Sequence, residues 1–201
     1  ETGILKGIIH VAEQAKIKPK SISQIIHGTT LATNTLIERT GAKTALITTK
    51  GFRDVIEMRT ESRFEQYDLN LTLPLPLISR QHRYVLNERV SANGHILIPI
   101  KKSEIVKLSK TLSNQGYQSI AIGLIHSYAN DSHEKYLKKI LTKYLPNTMI
   151  SISSEVSPQM REYERFNTVC ANAYIKPLMK TYLIRLQKEL IKQQIICPIF
   201  L

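Results

Sequence analysis

The stretch Gln24-Ile-Ile-His-Gly-Thr-Thr-Leu-Ala-Thr-Asn-Thr-Leu-Ile-Glu-Arg39 joins a short apolar segment to a segment with helical spacing. Gly28 lets a backbone approach a ligand closely, and the first turn of a helix offers free N–H groups and a partial positive charge. Thr29 and Thr30 add hydroxyl donors. The run therefore fits a turn that binds a phosphate or a carboxylate, although threonines here also fit simple helix caps.

Hydrophobic periodicity on both sides of this turn predicts an α/β fold, with a strand–helix–strand unit around the turn and a second layered unit further along. A hairpin should turn at Ala92-Asn-Gly94, because asparagine and glycine tolerate positive φ. We expect helices over residues 3–16, 30–39, 103–115 and 132–144, strands over residues 23–27, 44–49, 119–125 and 148–153, and hairpin arms over residues 84–90 and 95–99.

The last part of the chain changes character near residue 156, where we expect a domain boundary. Residues 159–194 read as a long helix with a break at Pro177, because proline cannot donate to the helical ladder. Between the two α/β units, a polar stretch with Arg59, Glu61, Arg63 and Glu65 leads into residues 71–76, which are too rich in proline for a regular element.

Composition indicates a globular protein, since 201 residues with 42% hydrophobic content suffice for a core. No apolar run reaches the eighteen or so residues that span a bilayer, and the start lacks a signal peptide pattern, so a cytoplasmic location is our expectation. Cys170 and Cys197 form neither a disulfide framework nor a zinc pattern, and we interpret both as packing residues. The chain begins at Glu1 and stops inside an apolar segment, so we expect it to be cut at both ends.

The net charge of +12 raises the hypothesis of nucleic-acid binding. The lysines are scattered along several helices and turns, as on solvated helix faces. Only 6% of the residues are aromatic and none is tryptophan, which leaves no evident platform for stacking bases. We therefore expect no nucleic-acid partner.

Five separated strings, in order along the chain, resemble the amino-terminal region of the hydantoinase A / 5-oxoprolinase family of ATP-dependent enzymes that open cyclic amides. One such string occurs readily by chance, whereas five in the right order and spacing do not. They are His27-Gly-Thr-Thr-Leu-Ala-Thr-Asn34 with Leu36-Ile-Glu-Arg39, Thr44-Ala-Leu-Ile-Thr-Thr-Lys-Gly-Phe-Arg-Asp54, Asn87-Glu-Arg-Val90 with Gly94, His126-Ser-Tyr-Ala-Asn130 with His133-Glu134, and Ser151-Ile-Ser-Ser-Glu-Val156 with Pro158 and Arg161-Glu-Tyr-Glu-Arg165.

The resemblance implies an actin-like, sugar-kinase-like ATPase lobe, with nucleotide between two α/β lobes. It assigns residues 1–155 to the family's amino-terminal domain and residues 156–201 to the start of a central domain. The family's opening phosphate loop, an acidic residue followed by two glycines and a threonine, is absent from this chain. We therefore expect a fragment that does not turn over substrate alone.

In chemical terms, the resemblance implies that ATP phosphorylates the lactam oxygen so that water attacks an activated carbon, with Mg²⁺ bridging phosphate oxygens. Any other metal is left open, because the spacing of the histidines matches no zinc pattern. The implied partners are a small cyclic amide and a hydantoinase B-like subunit or domain, in an oligomer without a membrane.

The candidate site residues follow from the matching strings. Gly28, Thr29, Thr30 and Asn34 are the predicted phosphate or substrate turn.

His126 follows a buried strand at its carboxyl end, where α/β folds place ligands, although it also fits a simple loop hydrogen bond. Glu155 and Arg161 are predicted to approach the cleft or a domain interface, as are Arg53 and Asp54, while mixed charges of this kind also fit a solvated face. For His133 and Glu134, at a helix start, we favour a structural role.

Three alternatives remain at this point. Acetone and acetophenone carboxylases resemble the same family and also use ATP to activate an oxygen, so the motifs leave the carbon substrate open. A basic binding module without catalysis is the second alternative, and a non-catalytic relative that keeps the fold is the third.

Overall fold

The computed structural model describes residues 2–60, 67, 68, 70 and 72–200. Part of the predicted polar stretch, namely Glu61, Arg63 and Glu65, lies outside the described residues, as does Leu71 at the start of the proline-rich segment. The chain divides into two compact units. We call Glu1–Thr40 with Leu178–Leu201 the terminal unit, and Gly41–Pro177 the central unit.

The terminal unit combines helices with a small parallel sheet. Its elements are helix α1 (Thr2–Gln14), strand β1 (Ile25–Ile26), helix α2 (Leu31–Ile37), the last part of helix α7 (Glu162–Lys192) and strand β8 (Ile199–Phe200). β1 pairs with β8, Ile25 opposite Ile199. Leu186, Leu190 and Ile195 are the buried centre of this unit, and apolar side chains of α1 pack against them.

The central unit contains a four-stranded parallel sheet in the order β3-β2-β6-β7. Its strands are β2 (Thr44–Thr49), β3 (Arg83–Leu86), β6 (Ser119–Gly123) and β7 (Met149–Ile152). Its helices are α3 (Val55–Met58), α4 (Lys102–Asn114), α5 (Ser132–Tyr144), α6 (Ser153–Val156) and the first part of α7. An antiparallel pair, β4 (Arg89–Val90) and β5 (Ile96–Ile98), stands beside the sheet.

Both faces of the parallel sheet are covered, as the alternation of side chains along a strand requires. Ile47, Ile120 and Ile122 face one core, which α4 and α5 complete with Leu112 and Leu137. Leu46 and Ala121 face the other core, which α7 completes through Phe166, Val169, Cys170 and Ala173. The predicted α/β class is therefore confirmed as a mixed fold with a parallel sheet.

The predicted strand–helix–strand unit around the Gly28 turn is wrong, because β1 pairs with β8 and not with β2. The predicted strand over residues 84–90 is also corrected, since it splits into β3 and β4. β3 joins the parallel sheet, whereas the hairpin at Ala92-Asn-Gly94 is made by β4 and β5 alone, with Gly94 at a φ of 80°. Long-range strand pairing decides both cases, and local periodicity carries no information about it.

The predicted break at Pro177 is wrong, because α7 continues through it as one helix of 31 residues. An interior proline costs a helix about 3 kcal/mol. We attribute the tolerance to the cores on which the helix packs, through Phe166 and Val169 before the proline and Leu186 and Leu190 after it. The boundary near residue 156 falls inside the central unit, so the assignment of residues 156–201 to a following domain stays a prediction.

The two ends of the central unit meet in space. The Ala42 N–H donates to the Tyr174 carbonyl at 3.0 Å, and a Cβ on Gly41 would lie 2.2 Å from the Tyr174 ring. The chain thus enters and leaves this unit at one place, as in an inserted module. Among the described residues, no helix combines the length and the hydropathy that crossing a bilayer requires.

Candidate functional site

The carboxyl ends of the four parallel strands form one edge of the central sheet. After β2 the chain moves to β3 on one side, whereas β6 leads to β7 on the other side, so the strand order reverses between β2 and β6. Ligands in open α/β sheets bind at such a switch point. Here the Ile125 N–H, just past β6, donates to Thr49 Oγ1 at the end of β2, at 3.0 Å.

A buried carboxylate closes this edge on the β3 side. Glu88 is 1% exposed, accepts a hydrogen bond from the Thr49 hydroxyl, and lies 2.6 Å from His133 Nδ1 through its other oxygen. A buried charge needs such partners, because desolvation is otherwise costly. The structural role favoured for His133 agrees with this contact.

Glu134 is the second buried carboxylate and is fully inaccessible to solvent. One oxygen accepts from the Leu124 N–H at 2.9 Å and from Ser153 Oγ at 2.7 Å. The other accepts from the Ser154 N–H at 2.9 Å and from Ser154 Oγ at 2.7 Å. Glu134 therefore ties the end of β6 to the end of β7.

Arg165 is equally buried and holds the same strand end from the other side. Its guanidinium donates to the Leu124 carbonyl at 2.9 Å, to Ser153 Oγ at 3.2 Å and to the Gln159 carbonyl at 2.9 Å. Leu124 is thus fixed at both main-chain groups, its N–H by Glu134 and its carbonyl by Arg165. We call Glu134, Ser153, Glu162 and Arg165 the clamp.

Glu162 completes the clamp at the start of α7. It accepts from Arg165 at 3.1 Å and from the His126 N–H at 3.3 Å. Burial acts to raise the pKa of Glu162, but the hydrogen bonds from Arg165 and from the His126 N–H outweigh it and hold the pKa below its ordinary value. The carboxylate therefore stays charged and keeps holding the loop.

His126 is held by the clamp in an uncommon conformation, with a φ of 55°. Its Nδ1 lies 2.9 Å from the Val90 carbonyl. A carbonyl only accepts, so Nδ1 carries a proton, and in the neutral ring with that tautomer the lone pair lies on Nε2. Nε2 has no hydrogen-bond partner within the described part of the chain, which fits a group that accepts a proton.

The other two residues predicted as catalytic are exposed. Glu155 pairs with Lys138 at 2.6 Å, and the Arg161 side chain, 82% exposed, lies 3.9 Å from Glu164. Within the described residues, no hydrogen bond or ion pair joins any two of His126, Glu155 and Arg161. Their catalytic roles stay predictions.

Arg53 and Asp54 form a separate ionic group. Arg80 makes two hydrogen bonds to Asp54, at 2.9 and 3.1 Å, and these lower the pKa of the Asp54 carboxyl. Arg53 donates to the Arg80 carbonyl at 2.8 Å. These contacts tie the start of α3 to the segment before β3, and the predicted approach of both residues to a cleft or domain interface stays a prediction.

The predicted phosphate turn lies in the terminal unit, where Gly28, Thr29, Thr30 and Asn34 are all exposed. Thr29 Oγ1 accepts from the Leu31 N–H at 3.2 Å, so one threonine does act on the helix start. Thr30 occupies the cap position of α2 but its side chain makes no capping bond. Apart from Gly28 itself and its two chain neighbours, no described residue has an atom within 4 Å of a Cβ built on Gly28, so the turn is open for close approach.

A polar cleft of about 540 Å³ opens beside the clamp in the central unit. The hairpin tip at Asn93, Gly94 and His95 forms one wall, and residues 127–131 with Ser154 and Pro158 form the others. Asn130 donates to the Gly94 carbonyl at 2.8 Å, and a Cβ on Gly94 would lie 3.3 Å from the Ala129 carbonyl oxygen. Gly94 therefore allows both the hairpin turn and the close packing of the hairpin against the loop at residues 127–131.

Comparison with family models matches residues 1–145 to the Hydantoinase/oxoprolinase N-terminal region. The chain belongs to this family. Among its relatives are an uncharacterized protein of Methanocaldococcus jannaschii, 41% identical over 88% of the chain, and caprolactamase subunit alpha of Pseudomonas jessenii, 32% identical over 91%. The 5-oxoprolinase of Saccharomyces cerevisiae is 33% identical over 78% of the chain.

Solved structures agree with the family. The crystal structure of ATP-dependent caprolactamase from Pseudomonas jessenii matches 94% of the chain at 30% identity with a TM-score of 0.83. A nucleotide-free acetone carboxylase matches 84% at 22% identity with a TM-score of 0.74, which shows a common fold. The chain spans 26%, 27% and 14% of the archaeal protein, the caprolactamase subunit and the yeast 5-oxoprolinase, respectively.

Four of the five family strings lie in the central unit and reach the carboxyl edge of its sheet, but the buried charged residues at that edge, Glu88, Glu134 and Arg165, are not among the predicted site residues. Glu88 has no predicted role, Glu134 is predicted to act structurally at a helix start, and Arg165 belongs to the mixed charges at the start of α7 that fit either an ionic network or a solvated face. Only Arg165 stands directly beside a buried apolar residue, Phe166, so the local sequence carries little signal for the burial of Glu88 and Glu134. Within the described residues, no group of three or more histidines, cysteines and acids is arranged to hold a metal ion.

Proposed function

We propose that this chain is part of an ATP-dependent enzyme that opens cyclic amides. The observation that carries the proposal is the match to the ATP-dependent caprolactamase at a TM-score of 0.83 over 94% of the chain. The finer fold assignment, an actin-like and sugar-kinase-like ATPase lobe, belongs to the same proposal. The parallel β1–β8 pair with its turn into α2 is consistent with it.

The chemistry requires help because an unactivated amide carbonyl is a poor electrophile. Phosphoryl transfer from ATP to the lactam oxygen makes the ring carbon a stronger electrophile for water, and such transfer depends mainly on positioning and charge stabilisation. In the proposal, Gly28, Thr29, Thr30 and Asn34 position the phosphate. The open space at Gly28 and the exposed hydroxyls fit that role.

His126 is the proposed proton acceptor from the attacking water, through the Nε2 lone pair. The support is its Nδ1 contact with the Val90 carbonyl, which in the neutral ring leaves the lone pair on Nε2. Glu155 and Arg161 remain proposed charged groups for substrate or for a neighbouring domain, and both are exposed. Mg²⁺ belongs to the proposal as a companion of the nucleotide.

The proposed partners follow from the relatives. The caprolactamase relative is named as subunit alpha, which means that it works with at least one other subunit. We propose a hydantoinase B-like subunit or domain as the partner here, in an oligomeric enzyme. The cytoplasmic location and the lack of nucleic-acid binding stay predictions.

The test is phosphate release by the complete enzyme with its partner subunit. Release should require a cyclic amide, and ε-caprolactam, hydantoin and 5-oxoproline are the substrates to compare. Equal release without any amide, or no release with all three, would contradict the proposal. Release that requires acetone and bicarbonate instead would assign the carboxylase reaction.

Thr29→Val tests the turn within that assay. We expect turnover to fall about a hundredfold, a typical cost of losing one donor to a developing charge, while the fold is kept. Thr40→Val is the matched control, because Thr40 is also exposed in the terminal unit. Unchanged turnover in Thr29→Val would remove this turn from the site.

A further inference from the structure

The polar cleft of the central unit has walls that are fixed before any ligand arrives. Ser154 is bonded through both its N–H and its hydroxyl to the buried Glu134, and Ser127 Oγ lies 3.0 Å from Ser153 Oγ in the clamp. Asn130 is held by its bond to Gly94 and by the Ser132 N–H at 3.0 Å. Such preorganisation lowers the ordering cost of binding.

Three side chains that line the cleft have polar groups without a hydrogen-bond partner among the described residues. The Asn93 amide, the His95 imidazole and the Tyr128 hydroxyl make no hydrogen bond within the described part of the chain, although they line the cleft. The Tyr128 ring is itself held in place, since the Arg165 guanidinium lies 5.4 Å and the His126 ring 6.0 Å from its centroid. Its hydroxyl is therefore presented at a fixed point.

The charge in the cleft is already compensated. Asp131 is the carboxylate of the lining, and Lys135 pairs with it at 2.7 Å. No lysine or arginine is among the lining residues that the structure describes. An anionic ligand would meet Asp131 without a cation of its own, which disfavours binding.

From this arrangement we propose that the cleft binds a small uncharged cyclic amide, with Asn93 and Tyr128 as its hydrogen-bonding groups. A lactam presents one N–H donor and one carbonyl acceptor, which the Asn93 amide and the Tyr128 hydroxyl complement. Its methylene groups suit the faces of Tyr128 and Pro158. This assignment rests on the proposed function and narrows its substrate class to lactams without a carboxylate.

The experiment is a ¹⁵N NMR titration of the chain without nucleotide, using ε-caprolactam, hydantoin and 5-oxoproline. We expect the N–H signals of Asn93, Tyr128 and Ser154 to shift saturably with the two uncharged amides, with a Kd on the order of 1 mM for so small a ligand. 5-oxoproline should bind at least about tenfold more weakly because it carries a carboxylate.

Two variants with matched controls test the named groups. Asn93→Ala and Tyr128→Phe should each weaken ε-caprolactam binding about fivefold, as expected for one lost hydrogen bond. Asn147→Ala, in an exposed turn before β7, and Tyr144→Phe, exposed on α5, should bind like the parent chain. No saturable shift up to 50 mM, equal binding of 5-oxoproline, or parent-like binding by both cleft variants would overturn the assignment.

The outcome of the NMR titration can be distinguished from the outcome of the phosphate-release assay. If the complete enzyme releases phosphate with lactams while the NMR signals of the cleft residues do not shift, the cleft assignment fails and the proposed function stands. If the cleft binds lactams while no amide supports phosphate release, the binding site stands and the proposed function fails.

Discussion

The central and terminal units use the polar residues of the family strings in opposite ways. In the central unit Glu88, Glu134 and Arg165 are at most 1% exposed, and their contacts are with the chain itself. In the terminal unit Gly28, Thr29, Thr30 and Asn34 are exposed, and within the part of the chain that the structure describes only the Thr29 side chain of these four residues makes a hydrogen bond.

This difference indicates two distinct reasons why a family string contains polar residues. Buried, fully paired groups fix a loop in place and contribute through geometry. Exposed and unpaired groups are free to meet a ligand.

Each unit contains one cysteine, and the alkylation rate of that cysteine reports how readily its surroundings open to solvent. Burial raises the pKa of Cys170 to about 12, whereas Cys197 is partly exposed. At pH 8 we expect Cys170 to be alkylated on the order of 10³-fold more slowly than an unhindered thiol, because little thiolate forms.

The single-thiol variants Cys170→Ala and Cys197→Ala, labelled with iodoacetamide and followed by mass spectrometry, isolate the two rates. Similar rates for the two cysteines would show that the central core opens as readily as the terminal unit.

Arg165→Met tests whether the clamp holds the central unit together. We expect a loss of about 3 kcal/mol or more in the free energy of unfolding, because Glu162 and the Leu124 carbonyl lose a buried partner. Arg161→Met is the control, since that side chain is 82% exposed and should change stability by less than about 0.5 kcal/mol.

Hydrogen exchange resolved by peptide should locate the Arg165→Met effect in the central unit. Equal destabilisation by the two arginine variants would contradict a special role for the buried one.

Gly123→Ala and Gly28→Ala each add one methyl group, the first in the central unit and the second in the terminal unit, and the change in stability reports how closely each position is packed. A Cβ on Gly123 would lie 2.5 Å from the Phe166 ring, so we expect a loss of about 2 kcal/mol from overpacking. A Cβ on Gly28 meets nothing within 4 Å, so stability should stay within about 0.5 kcal/mol of the parent. Urea midpoints measure both, and a stable Gly123→Ala chain would argue against close packing at α7.

Glu162→Gln tests whether the negative charge of Glu162 in the clamp stabilises the fold, because that contribution depends on pH. The pKa of Glu162 is lowered on folding from an ordinary value of 4.5, so its charge stabilises the fold above that pH, and this contribution is lost as pH falls through the folded pKa. The variant should be less stable than the parent by about 1.5 kcal/mol at pH 7.

The gap between Glu162→Gln and the parent should shrink as the pH falls below 4.5, which urea unfolding at several pH values will show. A gap that stays constant down to pH 3 would mean that the variant acts through packing and not through charge.

Local pattern predicted most elements of the fold. β2 and α5 have the predicted bounds, because the β-branched run over Thr44–Thr49 and the amphipathic run over Ser132–Tyr144 each carry a strong local signal. The pairing of β1 with β8 escaped prediction, since two-residue strands far apart in sequence leave no periodic trace. The continuity of α7 through Pro177 escaped it because tertiary packing outweighed a local penalty.

The candidate site was predicted in part. His126 and the Gly28 turn were placed correctly at the ends of strands, a position that local sequence reveals. Glu155 and Arg161 are predicted from the match to the family strings, whereas the buried Glu134 and Arg165, which also lie in family strings and have the same chemistry, are not predicted as site residues. Nothing in a charge pattern distinguishes a solvated carboxylate from one that ties two strand ends together.

The α/β class, most element positions and, through five ordered strings, the family can be read from the sequence. Those properties depend on the order of residue types along the chain, which is all that a sequence contains. The folded structure was needed to show which of the charged residues are buried, that Gly41 and Tyr174 pack together near the two ends of the central unit, and that a cleft lies beside the clamp. These properties depend on contacts between residues far apart in the chain, where packing and desolvation, not local preference, set the energy.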